Sequence, residues 1–371
     1  LYTRSNKRGS IDRILHAFVR FGADERILYE AHPHIGTNKL PQIITAMREQ
    51  VLAAGGEYLF EQKVSRLLVK NDRVTGVLTT TGNRFEGGAV VLATGHSARD
   101  IFTMLQEQAI LIEAKPFALG VRIEHPQDLI DSMQYHCITR GEYLPPASYS
   151  LVQQVQGRGV FSFCMCPGGI IAPAATSAGE LVVNGWSPSK RNNPYANSGM
   201  VVSIEEKDYG TAGGSLAAMN FQQNVEQKAY AAGGGKFVAP ALRMSDFVSR
   251  QISASLPDCS YLPGVVPAPL WDVLPQFVYK CLTEGFTAFG QKMRGYYTRE
   301  AIVVATESRT SSPVRIPRDA DTLQHPQVAA LYPAGEGAGY AGGIVSAAMD
   351  GEKIALAIAG QLTGKEILAG L

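Results

Sequence analysis

The sequence predicts an α/β protein in which one α/β domain is interrupted by a β-rich α+β insertion. Three observations lead to this fold class. Short apolar runs form an antiparallel meander that leads into a buried strand over residues 57–95. From about 115 to 210 the chain changes to repeated short strand-like runs separated by Gly, Pro and Asn. A strand, a glycine-rich loop and a long helical run close the sequence over about 327–361.

The order of these elements predicts where each domain begins and ends. Strand-like runs such as "FALGVRIEH" and "ELVVNGW", followed by helical runs between 215 and 300, form the insertion. The strand "AIVVATE" follows it and leads to the closing unit. We therefore predict residues 1–113 as the first part of the α/β domain. Residues 114–301 form an inserted substrate or cap domain, and residues 302–371 form the C-terminal part of the α/β domain.

The composition is that of a globular protein with little net charge. The 371 residues are 45% hydrophobic and 18% charged, and 34 basic against 33 acidic residues leave a net charge of +1. This balance predicts no electrostatic affinity for nucleic acid or anionic membrane, and no run reaches the ~18 consecutive apolar residues of a membrane span. Five cysteines, an odd number, indicate a reducing compartment. With no recognisable signal peptide, we expect a cytoplasmic protein.

The closing loop, "PAGEGAGYAGG", contains Gly337, Gly339 and Gly342 in G-x-G-x-x-G spacing. A dinucleotide fingerprint of this spacing opens a βαβ unit of about 30 residues and has an acidic residue about 20 positions on. Here the helical run reaches about Gln361, and only ten residues without a strand pattern follow. The loop therefore belongs to a last βα unit and not to a first one.

A strand, glycines, an acid, a glycine pair and a helix are the way large FAD-binding folds end. Small residues let the backbone approach a flavin and its ribityl chain, and Glu336 can accept a hydrogen bond from a ribityl hydroxyl. A helix that begins at Gly343 and Ile344 directs its N–H groups and positive dipole end outward, which suits the flavin N1 and C2 carbonyl. A glycine-rich connector with close packing would need the same glycines, so both interpretations stay open at this point.

A second element lies in "AVVLATGHSARD", where a buried strand ends in the turn Ala93–Gly95. In flavoproteins resembling glutathione reductase, an Ala-Thr-Gly turn follows a three-strand meander and packs near FAD. The alternative is an ordinary strand-to-helix turn in which His96 to Asp100 open a helix. The order of meander, turn and terminal Gly-Glu motif favours the flavoprotein interpretation and predicts an FAD/NAD(P)-binding, Rossmann-like domain.

Several longer segments carry a family resemblance: "PHIGTNKL", "ATGHSARD", "KPFALGVRIEHP", "FSFCMCPGG", "SRTSSPVRI" and "LYPAGEGAGYAGG". Over nearly the whole chain the sequence resembles the bacterial FAD-dependent, NAD(FAD)-utilising dehydrogenases, an uncharacterised group with a glutathione-reductase-like FAD fold. The resemblance implies a G-x-G-x-x-G segment upstream of Leu1, and we expect a chain without it to bind FAD weakly. It also implies these cofactor-binding residues: Val64, Thr94, Gly95, Gly335, Glu336, Gly342, Gly343 and Ile344.

Other polar residues are candidates for substrate binding and catalysis. The cluster Arg309, Thr310, Ser311 and Arg315 precedes the terminal motif, and Arg side chains bind carboxylate or phosphate through paired hydrogen bonds. A solvated loop is the alternative. His96 and Tyr340 lie in the two flavin-facing turns and are candidate proton donors.

Cys164 and Cys166 stand two apart in a strand-like run, where their side chains would share one face. A redox dithiol or a metal pair would use that spacing, but no second Cys or His cluster accompanies them. Buried packing is the favoured interpretation, and we predict no metal site.

The sequence therefore predicts an FAD-dependent oxidoreductase that passes hydride between a small-molecule substrate, or a nicotinamide such as NAD or NADP, and flavin N5. Two alternatives stay open. One is a flavin-dependent tRNA-modifying enzyme with a similar terminal motif, which the near-neutral charge disfavours. The other is a non-catalytic nucleotide-binding or scaffold protein that retains the FAD fold. The pattern fixes neither the substrate nor the oligomeric state.

Overall fold

A computed structural model of the protein describes Leu1 and residues 11–364. The ten residues expected to follow the last helix without a strand lie mostly outside this part. The helices are α1 (Ile11–Arg20), α2 (Leu40–Ala53), α3 (Arg99–Glu107), α4 (Gln127–Tyr135), α5 (Glu206–Tyr209), α6 (Ala217–Ala232), α7 (Met244–Ser249), α8 (Leu270–Val273), α9 (Gln276–Lys292) and α10 (Ile344–Thr363).

The strands are β1 (Val64–Lys70), β2 (Arg73–Thr79), β3 (Arg84–Glu86), β4 (Val90–Leu92), β5 (Glu113–Ala114), β6 (Phe117–Pro126), β7 (Val152–Val155), β8 (Arg158–Cys166), β9 (Ile170–Pro173), β10 (Val183–Trp186), β11 (Tyr195–Ile204), β12 (Ala239–Arg243), β13 (Val265–Pro267), β14 (Ile302–Glu307), β15 (Val314–Arg315) and β16 (Leu331–Pro333). Short 3₁₀ helices cover Glu25–Leu28, Thr37–Lys39 and Gly214–Leu216. This mixture confirms the predicted α/β class.

The chain folds into two compact units. The first unit contains Leu1–Lys115, Gly210–Met219 and Ser311–Leu371, and the second contains Pro116–Tyr209 and Asn220–Thr310. Both units are discontinuous in sequence.

The limits of the units differ from the predicted boundaries in two places. Strand β14, assigned from sequence to the α/β domain, pairs with β6 and β12 inside the second unit. The segment Gly210–Met219, assigned to the insertion, belongs to the first unit because Leu216 and Met219 pack in the same core as Phe102 and Leu105. Apolar periodicity marks each of these elements as buried but does not say which core buries it.

The first unit contains the predicted meander. Strands β1, β2 and β3 pair antiparallel in that order, and the β1–β2 turn places Asn71 and Asp72 at positive φ, as a tight hairpin turn requires. Strand β4 pairs with β16 in parallel. Helix α3 packs on the same core through Phe102 and Leu105, which are fully buried. The expected meander is therefore present and leads into β4. The prediction that this strand is buried holds only for Leu92, because Val91 is exposed.

A second core in this unit is helical. Ile14 and Phe18 of α1, Ile43 of α2, and Val345 and Met349 of α10 pack together. Helix α2 buries little more than Ile43, and three other apolar side chains of this helix are exposed: Ile44, Val51 and Leu52.

The second unit is organised around a mixed seven-stranded sheet with the order β13-β12-β14-β6-β11-β8-β7. Its centre is the pair β6 and β11, which runs in unbroken antiparallel register over ten residues from Phe117↔Ile204 to Pro126↔Tyr195. Helix α9 packs against this sheet with a fully buried apolar face that includes Val278, Leu282, Phe286 and Phe289. Burial on both faces extends to polar residues of these strands, because Glu124 of β6 and Asn197 of β11 are buried together with the apolar ones.

Two neighbouring ionisable residues of β6 are buried in this sheet. Glu124 accepts hydrogen bonds from the backbone N–H (2.7 Å) and the hydroxyl of Ser260, yet burial raises the pKa of its carboxyl to about 7. His125 contacts the Tyr296 carbonyl through Nε2 at 2.8 Å, and burial lowers the pKa of its imidazole to about 4. Each group is therefore held closer to its uncharged form than in the unfolded chain.

These shifts predict opposite pH dependences of stability. Between about pH 4.5 and 7 the folded state binds more protons at Glu124 than the unfolded state, so this group lowers stability as the pH rises. Between about pH 4 and 6.5 His125 has the reverse effect. We expect Glu124→Gln to gain stability relative to the wild type from pH 5 to pH 8, by about 1–3 kcal/mol. Urea unfolding followed by tryptophan fluorescence measures this, because both tryptophans, Trp186 and Trp271, lie in the second unit.

The matched control is Glu142→Gln, which changes an exposed carboxyl in the same unit. Its pH profile should run parallel to that of the wild type. A parallel profile for Glu124→Gln would contradict the prediction.

Candidate functional site

The candidate site lies where two parallel strands of the first unit end side by side. Strand β4 and strand β16 pair in register through Pro333↔Leu92, and the N–H of Ala334 donates to the Leu92 carbonyl at 2.9 Å. Because carboxyl ends of neighbouring parallel strands share one edge, the loops that follow them meet there. These are the Ala-Thr-Gly turn and the terminal glycine loop.

The two loops are in backbone contact. A Cβ atom at Gly337 would lie 2.5 Å from the carbonyl oxygen of Gly95, closer than any real Cβ contact. Gly95 itself has φ +75, a left-handed conformation that favours glycine. The Ser312 hydroxyl donates to the Gly337 carbonyl at 3.2 Å and holds the terminal loop from the other side. Two segments more than 200 residues apart therefore form one surface.

An acid and an imidazole face each other across the loops. The Nε2 of His96 lies 4.0 Å from Oε2 of Glu336, and both side chains are partly exposed. The Ser97 hydroxyl lies 3.1 Å from Nδ1 of His96. The structure thus brings together His96, which the sequence suggested as a proton donor, and Glu336, which the sequence suggested as an acceptor for a ribityl hydroxyl.

The helix that follows the terminal loop starts beside open space. Helix α10 begins at Ile344, and Cβ atoms at Gly342 and Gly343 would meet no atom within 4 Å. The Ser346 hydroxyl accepts from the Gly342 N–H at 3.1 Å and donates to the Gly343 carbonyl at 2.9 Å. The first turn of a 20-residue helix offers N–H donors and the positive end of the helix dipole to an anion.

An ion pair that the sequence analysis missed holds the loop to the helix. Asp350 of α10 accepts from both guanidinium nitrogens of Arg318, at 3.0 and 2.5 Å, and from the N–H of Gly335 at 2.7 Å. Arg318 also donates to the Pro333 carbonyl at 2.9 Å. An acid inside the otherwise apolar run "IVSAAMD" was the signal that could have identified this anchor.

Tyr340 lies between two cations. Its ring centre is 3.9 Å from the Arg318 guanidinium and 5.2 Å from that of Arg315. Its hydroxyl oxygen accepts from the backbone N–H of Arg318 at 2.9 Å. These contacts hold the Tyr340 side chain in place. Its role as a proton donor stays a prediction.

The remaining substrate candidates fall into different units. In the second unit, the Arg309 guanidinium is buried and forms ion pairs with Glu180 and Glu226, each at 2.9 Å. These contacts hold Arg309 inside the second unit, and its substrate-binding role stays a prediction. The Thr310 hydroxyl bonds the backbone of Ala118.

The structure gives the positions of three further candidates and does not test whether they bind a ligand. In the first unit, Ser311 is partly buried and Arg315 is exposed on β15. Val64 opens β1 opposite Thr79, next to the Lys63–Asp100 ion pair of 3.1 Å. Their binding roles stay predictions.

The Cys164–Cys166 segment departs from the expected regular strand. Cys164 has φ +45, and the register of β8 with β11 shifts between Phe163 and Cys166. This bulge leaves Cys164 exposed while Cys166 is buried beside Arg122. The expected common face is therefore wrong, and the predicted buried packing holds for Cys166 and not for Cys164. All five cysteines are free, and the described residues contain no group of three His, Cys, Asp or Glu that could hold a metal ion.

The backbone contact between the two loops yields a prediction. Gly337→Ala should force the Ala-Thr-Gly turn away from the terminal loop and destabilise the first unit by about 1–3 kcal/mol. Hydrogen exchange of the amides in β4 and β16 measures this locally. Gly342→Ala, five residues on and facing open space, is the control and should leave exchange unchanged. Equal exchange in both variants would show that the loops do not touch.

Comparisons with known proteins show which families and proteins this chain resembles. Residues 42–127 match the family described as glucose inhibited division protein A. An uncharacterised protein of Clostridium beijerinckii is 40% identical over 346 residues, which is 92% of this chain and 64% of the relative. A flavin-dependent halogenase from Xanthomonas campestris aligns over 59% of this chain and 39% of its own, with 11% identity and a TM-score of 0.24.

The longest family match covers residues 116–310 and carries the description FAD-dependent protein, C-terminal domain-like. With the match over residues 42–127, it confirms the predicted cofactor, FAD, and the predicted FAD-binding α/β fold. No described helix is both long and apolar enough to cross a membrane. Because the match spans more than half of the sequence, the chain belongs to the family of FAD-dependent proteins with this C-terminal domain.

Proposed function

We propose that the protein is an FAD-dependent oxidoreductase whose flavin lies against the two loops of the first unit. The observation that supports this most is the open space beside the start of α10. Two glycines stand there, and no packing contact in the described chain requires glycine at either position. FAD, when bound, supplies hydride transfer at its flavin ring. The chain covers 64% of the length of its relative, so the activity of the whole protein is part of the proposal.

The residues present fit such a cofactor. Gly342 and Gly343 leave room for a ring system to approach the helix, and the N–H groups of the first turn can stabilise negative charge on a reduced flavin. Glu336 can accept a hydrogen bond from a ribityl hydroxyl. The family resemblance also implies that the cofactor is bound by Val64, Thr94, Gly95, Gly335 and Ile344.

The chain's own groups would position the cofactor and move a proton. The Arg318–Asp350 pair fixes the N–H of Gly335 and therefore the conformation of the loop that carries Glu336. His96 can hold a proton in its interaction with Glu336 and release it at the surface of the two turns.

An anaerobic reduction experiment tests the proposed function. The FAD-loaded protein is mixed with NADH, NADPH and a panel of reduced small molecules, and bleaching of the flavin absorbance is followed. We expect at least one donor to reduce the flavin much faster than it reduces free FAD. Reduction by no donor would favour the non-catalytic alternative. If a donor reduces the flavin only when tRNA is present, the result would favour the tRNA-modifying alternative.

A substitution at the helix start tests the location of the flavin. Gly343 has φ 164, an extended conformation that any residue adopts, so Gly343→Leu should fold normally. Its side chain would fill the space before the helix, and each lost hydrogen bond to a charged group weakens binding by about tenfold or more. We expect FAD affinity, measured by flavin fluorescence quenching, to fall at least that much.

The control is Gly351→Leu, the same change in the same helix at an exposed position with no atom within 4 Å. It should retain the FAD affinity of the wild type. Unchanged flavin binding in Gly343→Leu would contradict the proposed location.

A further inference from the structure

A lysine lies across the terminal loop. Lys115 follows β5, and its backbone N–H donates to the Pro313 carbonyl at 2.9 Å. A Cβ atom at Gly339 would lie 3.1 Å from Cδ and 3.4 Å from Cε of Lys115. The lysine stem therefore packs on the bare backbone of Gly339, whose φ of +83 also favours glycine. This contact places the ammonium group at the edge of the flavin motif.

A second cation lies beside the same loop. Arg315 stands on β15, the partner strand of β5, and its guanidinium is 5.2 Å from the ring centre of Tyr340, the residue after Gly339. Burial and then the charge of Arg315 lower the pKa of the Lys115 ammonium. The two positive charges therefore act on each other across one loop.

The acids near this loop are engaged elsewhere. Asp350 is paired with Arg318, and Glu336 faces His96. Glu113 stands opposite Arg315 in the β5–β15 register, but no ion pair among the described residues joins it to Arg315 or Lys115. The buried Arg122, by comparison, has a carboxylate partner in Glu307. Two like charges held together without a counter-ion favour a bound anion.

We propose that Lys115 and Arg315 form an oxyanion site at the edge of the terminal motif, with the Tyr340 ring as its floor. The guanidinium offers a planar pair of donors to a carboxylate or phosphate, and the ammonium adds a point charge. This inference rests on the proposed function for its biological meaning, because it assigns either an anionic group of the substrate or the diphosphate of FAD to the site.

Binding of inorganic phosphate to the protein without flavin tests the site directly. Calorimetry should detect binding to the wild type and a loss of about tenfold or more in Lys115→Met and in Arg315→Met, since each removes one charge-assisted contact. Methionine keeps an apolar stem on Gly339, and circular dichroism checks the fold of each variant. Lys70→Met removes an exposed cation of β1 and should bind phosphate as the wild type does.

Equal phosphate affinity in the wild type, both site variants and the control would overturn the proposal, and so would the absence of phosphate binding. No turnover is measured, so this result is independent of the reduction experiment. If phosphate binding fails while a donor still reduces the flavin, only the oxyanion site is wrong.

A second measurement identifies the source of the oxyanion. FAD and riboflavin are titrated into the wild type and Lys115→Met. If the site holds the diphosphate, the variant loses affinity for FAD and not for riboflavin, and phosphate competes with FAD. If the site holds a substrate group, the variant binds both flavins normally, and the FAD-loaded wild type still binds phosphate. Either pattern supports the site and assigns its ligand.

Discussion

The parallel pairing of β4 with β16 is the contact on which the candidate site depends. Each strand pairs over only three residues, and the two segments are separated by more than 200 residues of sequence. Closing so long a loop costs conformational entropy that three residue pairs do not offset alone. Three further contacts stabilise this closure, and all of them hold the loops that follow the two strands. They are the Gly95–Gly337 contact, the hydrogen bond from Ser312 to Gly337 and the Arg318–Asp350 pair. The same contacts that close the first unit therefore shape its candidate ligand surface.

Two buried arginines of the second unit are held by acids of the same unit. In the second unit, Arg122 is fully buried and bonds Glu307, Asn197 and the carbonyl of Cys164. Arg309 bonds two buried glutamates in the same way. Removing one partner of a buried pair costs about 3–5 kcal/mol because the other charge is left without compensation. These two arginines are thus bound to the fold, as Arg318 is bound by Asp350 in the first unit. No ion pair among the described residues joins Lys115 or Arg315 to an acid.

The sequence separation of contacting residues explains what the sequence could and could not predict. The helices, the meander and the last βα unit follow from local periodicity and turn residues, which report on neighbours within a few positions. The partners of Arg309 are 83 and 129 positions away, so no local pattern distinguishes it from a ligand-binding arginine. The bulge at Cys164 arises from pairing with β11, and the place of β14 depends on β6 and β12. Each of these outcomes is decided by a long-range contact.

The glycines of the terminal loop separate into two groups once the structure is known. Gly335 and Gly339 have positive φ, and Gly337 touches Gly95, so a plain strand-to-helix connector accounts for all three. It does not account for the other pair. Gly342 and Gly343 face open space, and neither has the left-handed conformation that would exclude a side chain. Glycine at these positions loses more conformational entropy on folding than other residues would, and no contact within the described fold offsets that loss. The flavin position proposed above would give these two glycines a reason, since FAD is the cofactor of the family to which the chain belongs.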